Sequence, residues 1–158
     1  DCRRSDMKKK NGDRLIKPPK PMKLWIKKQM KYLQGQIFLH TWRLNVCYCS
    51  KEPMEKGKNK EKNEAIASIT TDHKYMEAIV HIHPMFGRFW NDKNRDYQML
   101  MSALVHEFVH VHTDRMYKFA YEMVPNMLID HLEEIRENET QCIAVAIMNL
   151  IPEKQYKK

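Results

Sequence analysis

The chain has 158 residues, of which 42% are hydrophobic and 30% charged, with a formal net charge of +8. Length and apolar content suit one folded domain with its own core and exclude a disordered chain. Four glycines, none in a G-x-G-x-x-G or G-x-x-x-x-G-K pattern, exclude a phosphate-cradling loop and argue against a glycine-rich β-sandwich. No apolar run nears the ~20 residues of a membrane span, and the basic N-terminus has no apolar signal region. A soluble, cytoplasmic protein without a membrane partner is the expectation. The sequence starts at Asp1, which suggests a fragment or a processed product.

Charge is unevenly placed: residues 1–63 carry 18 Lys and Arg against 6 Asp and Glu, and residues 64–158 carry 10 against 14. Residues 1–21, basic and holding Pro18, Pro19 and Pro21, are expected to form a flexible arm, followed by a single domain over 22–158. Such an arm either solubilises the chain or contacts nucleic acid without sequence preference, through counterion release.

Met22, Trp25, Ile26, Met30 and Leu33 recur at helical spacing, and Gly35 suits the chain reversal after a helix. Residues 41–49 alternate, with Trp42, Leu44, Val46 and Tyr48 on one face of a strand and Cys47 and Cys49 on the other. The cysteines, Cys2, Cys47, Cys49 and Cys142, form no C-x-x-C. The pair at 47 and 49 reads as two ordinary semi-buried thiols before it reads as a metal pair. Residues 50–64 are a charged loop. Residues 65–84 predict two short strands around a turn near Asp72, the second closing at Pro84. His81 and His83 share one face of that strand; they could chelate a metal, with solvent-facing strand residues as the default. A buried or irregular segment over 85–94 leads into a helix from about Asp96 to Lys118. Pro125 and Asn126 open a last helix that ends before Pro152. This order fits an α+β domain with a small antiparallel or mixed sheet.

Residues 103–112 read ALVHEFVHVH, a helix that is apolar nearly all round and therefore buried. His106 and His110, four residues apart, project from one face and can chelate one ion, while Glu107 can reach a water held there without binding the metal. H-E-x-x-H is the pattern of a zinc hydrolase, with two ligands and a general base.

A catalytic zinc needs a third protein ligand. Thr113 and Met116 stand where the metzincin form would need glycine and histidine. On the last helix Leu128, Leu132, Ile135, Cys142, Ala146 and Leu150 form an apolar stripe with Glu139 at its centre, whereas Glu133, Glu134 and Glu137 point away. A carboxylate there marks a buried ligand or a helix broken before it. Asp114, one turn beyond His110, and His131, at the margin of the stripe, are the rival candidates. No residue is singled out by spacing to steady an oxyanion; among Tyr117, Tyr121, His112 and His131, His131 is the first choice.

The HEFVH run together with ENETQCIAVAIMNLIP resembles the minimal gluzincin metallopeptidases of the ImmA/IrrE type, including small phage-encoded ones, over about residues 65–152. Glu139, Ile143, Ala144 and Pro152 match the second motif in kind. The resemblance implies a small zincin-like fold, zinc as cofactor, Glu139 as third ligand, and peptide-bond hydrolysis on an intracellular protein substrate. It also implies an edge strand that binds extended substrate by β-augmentation, for which Tyr75, Ala78, Ile79 and Val80 are the candidates. The Lys-rich start departs from that family's usual one. SprT-like proteases are the second choice, although no His-Gly pair follows the first motif. An alternative of another class is a nucleic-acid-binding protein whose zinc is structural or vestigial, against which the intact Glu107 argues.

Overall fold

The structure, a computed structural model, describes residues 18–49, 66–91 and 95–157. Most of the basic arm, Cys2 and the charged loop after residue 49 lie outside the described residues. The elements are α1 (Lys20–Gln36), β1 (Arg43–Tyr48), β2 (Ala67–Asp72), β3 (Glu77–Ile82), α2 (Pro84–Asn91), α3 (Tyr97–Met123), α4 (Ile129–Leu150) and a short α5 (Glu153–Tyr156), with a 3-10 turn at Asn126–Leu128. This is an α+β arrangement, mostly helical, around one small sheet. Among the described residues no helix is long and apolar enough to cross a membrane.

The sheet is mixed, in the order β1-β3-β2. β1 runs parallel to β3 with Arg43 opposite Glu77, and β2 runs antiparallel to β3 with Ala67 opposite Ile82. The hairpin turn is set by Asp72, whose Oδ1 accepts from the backbone N–H of Lys74 (3.0 Å) and Tyr75 (3.3 Å), an Asx turn. Alternation divides the sheet cleanly. Ala78, Val80 and Ile82 are buried and join Leu44, Val46 and Ile69 on the core face; Cys47, Cys49 and His81 lie on the opposite one.

Against the core face pack the apolar stripes of α1, through Met22, Ile26 and Leu33, and of α3, through Leu100, Leu104, Val105 and Phe108. α3 starts at an N-cap, Asp96, whose carboxylate accepts from Met99 N at 3.0 Å, satisfying one of the donors a helix start leaves unpaired. The chain's end is tied back to α1: Trp25 Nε1 donates to the Tyr156 carbonyl at 3.1 Å and the fully buried Gln29 to the Gln155 carbonyl at 3.3 Å.

Three local expectations change. Gly35 lies within α1, which continues to Gln36; the left-handed residue is Phe38, φ 55°. Leu39 N there donates to Gln34 O (3.0 Å), the closing bond of a Schellman motif, and Leu39 itself is buried. The stretch after Pro84 is a helix rather than irregular, because Pro84 suits a first helical position and Phe86 and Trp90 are both buried. α3 extends five residues past Lys118, to Met123.

Candidate metal centre

α3 carries the two histidines on the side that faces α4, and their rings meet at right angles with Nε2 to Nε2 at 3.2 Å. From α4, Glu137 brings Oε2 to 3.4 Å from each of those Nε2 atoms. These three donors form one of the groups of His, Cys, Asp and Glu side chains whose ligand atoms all lie within 4.8 Å of one another. Metal arms of ~2.0–2.1 Å in tetrahedral geometry imply donor separations of roughly 3.3–3.4 Å, so two imidazoles and one carboxylate fit a zinc ion in type, number and spacing.

Both rings are held from behind. His106 Nδ1 faces Gln141 Oε1 at 3.0 Å and His110 Nδ1 faces Asp114 Oδ1 at 3.4 Å. With its proton on Nδ1 donated to Gln141, His106 leaves its Nε2 lone pair for a metal, while Asp114 makes an ion-pair contact with His110 Nδ1. Arg136 spans the two carboxylates, NH2 to Glu137 Oε1 at 2.8 Å and NH1 to Asp114 Oδ1 at 3.6 Å.

The electrostatics of the metal-free chain follow from this crowding. Burial pushes the Glu107 carboxyl up to about 7, opposed by His110 and His106. For His110, burial alone would lower the pKa, but hydrogen bonds to Asp114 and Glu137 and the charges of Glu137 and Glu107 outweigh it and raise it to about 9. The same hydrogen bonds from His106 and His110 hold the Glu137 carboxyl well below the usual carboxylate range. A proton on His110 thus occupies the place an ion would take.

The cleft over these residues has a volume of about 990 Å³ and is lined by His106, Glu107, His110, Glu137 and, opposite them, Ala67 and Ile69 of β2. His106, Glu107 and His110 therefore stand together as the spacing implies. Glu139 does not join them. It accepts a 2.6 Å hydrogen bond from Tyr117 OH, and Glu137 takes the place foreseen for it. The physical reason is the packing of α4 on α3. Thr140, bonded to Thr113 at 3.2 Å, and Ala144 are its buried residues, whereas Leu128, Ile135 and Leu150 of the supposed stripe are exposed. At about 100° per residue, Glu137 lies some 60° from Thr140 on the side of the histidines and Glu139 about 100° away on the other.

The remaining candidates fall elsewhere. His131 is on the exposed start of α4, 3.9 Å from Glu134. His112 bonds the Ile37 carbonyl at 2.7 Å. Tyr75 is exposed at the hairpin turn, and Ala78, Ile79 and Val80 sit on β3, the central strand, paired on both sides. The strand along the cleft is β2. Glu137, Gln141, Arg136 and Asp114 complete the site. A signal for two of them was present: Glu137 and Gln141 stand four residues apart, on one face of a helix. Comparison of the chain with protein-family models, curated proteins and solved structures finds no match.

Proposed function

We propose that the protein is a zinc-dependent metallopeptidase acting on a protein or peptide substrate, with His106, His110 and Glu137 as ligands and Glu107 as general base. The observation that carries this reading is the triangle of donor atoms at 3.2, 3.4 and 3.4 Å, the edges of a zinc tetrahedron with one position left over. Bound there, zinc supplies Lewis-acid polarisation of a carbonyl and activation of a water.

The chain's own residues do the rest. Glu107 lines the cleft, where a carboxylate can take a proton from an attacking water and return it to a leaving amine. Gln141 fixes the His106 tautomer, the Asp114 carboxylate faces His110 Nδ1, and Arg136 keeps Glu137 turned toward the histidines. β2 offers the substrate an edge. Ile66 O accepts from His83 N, so antiparallel alternation turns the backbone groups of Ala67, Ile69 and Thr71 away from β3, toward the open side. An extended peptide pairing there would lie along the cleft. A nucleic-acid-binding protein with a structural zinc, the rival reading, leaves Glu107 without a task.

The test is hydrolysis of a broad peptide library by the zinc-loaded chain and its Glu107→Gln variant. The variant should hold zinc and lose at least ~10²-fold in rate. Equal rates for the two chains, or no cleavage by either, would contradict the proposal.

A further inference from the structure

The sheet face opposite the core carries a second set of metal-type side chains. Cys47 of β1 stands directly across from His81 of β3 in the parallel register. Cys49, two residues on, points the same way, and its backbone N–H donates to Ile82 O at 2.9 Å, which fixes its position against β3. The two sulfurs and a ring nitrogen of His81 all lie within 4.8 Å of one another, with Cys49 Sγ 3.9 Å from His81 Nδ1. Arms of ~2.3 Å to sulfur and ~2.1 Å to nitrogen in tetrahedral geometry require a sulfur–nitrogen separation of roughly 3.6 Å.

The imidazole is also oriented for this. His81 Nε2 meets Thr70 Oγ1 of β2 at 3.0 Å; with the hydroxyl accepting, the proton sits on Nε2 and the Nδ1 lone pair faces the sulfurs. An outer partner that sets the tautomer in this way is what ligating histidines have in metal sites. Also on this face, Arg43 and Glu77 pair with each other, at 2.6 Å.

We propose that Cys47, Cys49 and His81 form a second metal site, for a thiophilic cation of the zinc class. Two thiolates and an imidazole select zinc and its d10 relatives over magnesium or calcium, which take oxygen donors. On binding, each thiol gives its proton to solvent and each sulfur becomes a ligand; three protein donors leave a fourth position. The site would clamp β1 to β3 and, through Thr70, steady β2, the strand along the cleft. It shares no residue with the centre on α3 and stands or falls separately from the proposed peptidase activity.

Cobalt(II) separates the two sites, because only a thiolate gives the intense ligand-to-metal charge-transfer band in the near ultraviolet and the α3 centre has no sulfur. The full chain, kept reduced with a phosphine, is titrated with cobalt(II) and then zinc. The band should appear in the wild type and in Cys2→Ser and Cys142→Ser. It should fall by half or more in Cys47→Ser and in Cys49→Ser, and His81→Ala should weaken cobalt binding at least tenfold. Without any substitution, cadmium should protect Cys47 and Cys49 from alkylation, read by mass spectrometry. No band in the wild type, a band unchanged in both Cys47→Ser and Cys49→Ser, or alkylation indifferent to cadmium would overturn the site.

Discussion

Replacing Glu137 by alanine should weaken zinc binding in a manner that depends on pH, since the side chain has two opposing effects. As a ligand it contributes directly. Loss of an outer partner of a ligating histidine alone costs ~10–100-fold in metal affinity, so loss of the carboxylate should exceed ~10²-fold. As a neighbour it also helps hold a proton on His110, whose pKa of about 9 means that metal at pH 7 must displace that proton. Two pH units correspond to ~2.7 kcal/mol, or ~10²-fold in apparent affinity. Wild-type affinity should therefore climb about tenfold per unit from pH 7 to 9. Glu137→Ala relieves part of the competition, so its deficit should be larger at pH 9 than at pH 7. Asp114 remains to raise His110 and keeps the relief incomplete. The assay is competition against a chromophoric zinc chelator, in a Cys47→Ser, Cys49→Ser background so that one site is counted. Glu139→Ala, which removes only the partner of Tyr117, should stay within about threefold of its parent. Zinc lost from Glu139→Ala and kept by Glu137→Ala would refute the reasoning, and a deficit equal at both pH values would refute the proton competition.

Glu107→Gln should stabilise the metal-free chain above neutral pH. The folded carboxyl titrates near 7 against an ordinary value of 4.5, so the folded state binds the proton more tightly and stability falls as pH rises from about 4.5 to about 7. The full cost is on the order of 3 kcal/mol; thermal melts should show the variant several degrees higher at pH 8 and equal to wild type near pH 4, and identical melts at pH 8 would contradict a buried carboxylate. Gln141→Ala, which frees His106 Nδ1, should lower zinc affinity ~10–100-fold while leaving the fold intact by circular dichroism; unaltered affinity would show that His106 needs no orienting partner. Peptide substrates N-methylated at alternate positions should lose cleavage in one phase of the alternation and keep it in the other, as pairing with β2 requires; loss in both phases or neither would argue against an edge-strand mode.

Periodicity located most of the elements because each amphipathic face is apolar and continuous: Met22 to Leu33 on α1, and Ala78, Val80 and Ile82 on β3. H-E-x-x-H is local, so helix geometry alone brings His106 and His110 together. The third proposed ligand is not local. α4 meets α3 through Thr140 and Ala144, small residues that permit close approach, and leaves larger apolar ones such as Leu150 outside. Reading the largest side chains as the buried stripe rotated the helix and promoted Glu139 over Glu137. The edge strand was misplaced for a related reason. Consecutive strands β2 and β3 form a hairpin, but β1 joins in parallel on the far side of β3, a pairing that neither strand's own alternation specifies. That places β2, and not β3, beside the cleft.

Crystals of the chain grown with zinc, with anomalous differences collected at the zinc edge, test the central claim most directly. The account predicts a peak bonded to Nε2 of His106, Nε2 of His110 and the Glu137 carboxylate, with a water in the remaining position next to Glu107. No peak between the two histidines, a peak ligated by Glu139 in place of Glu137, or a centre closed by four protein ligands would contradict it.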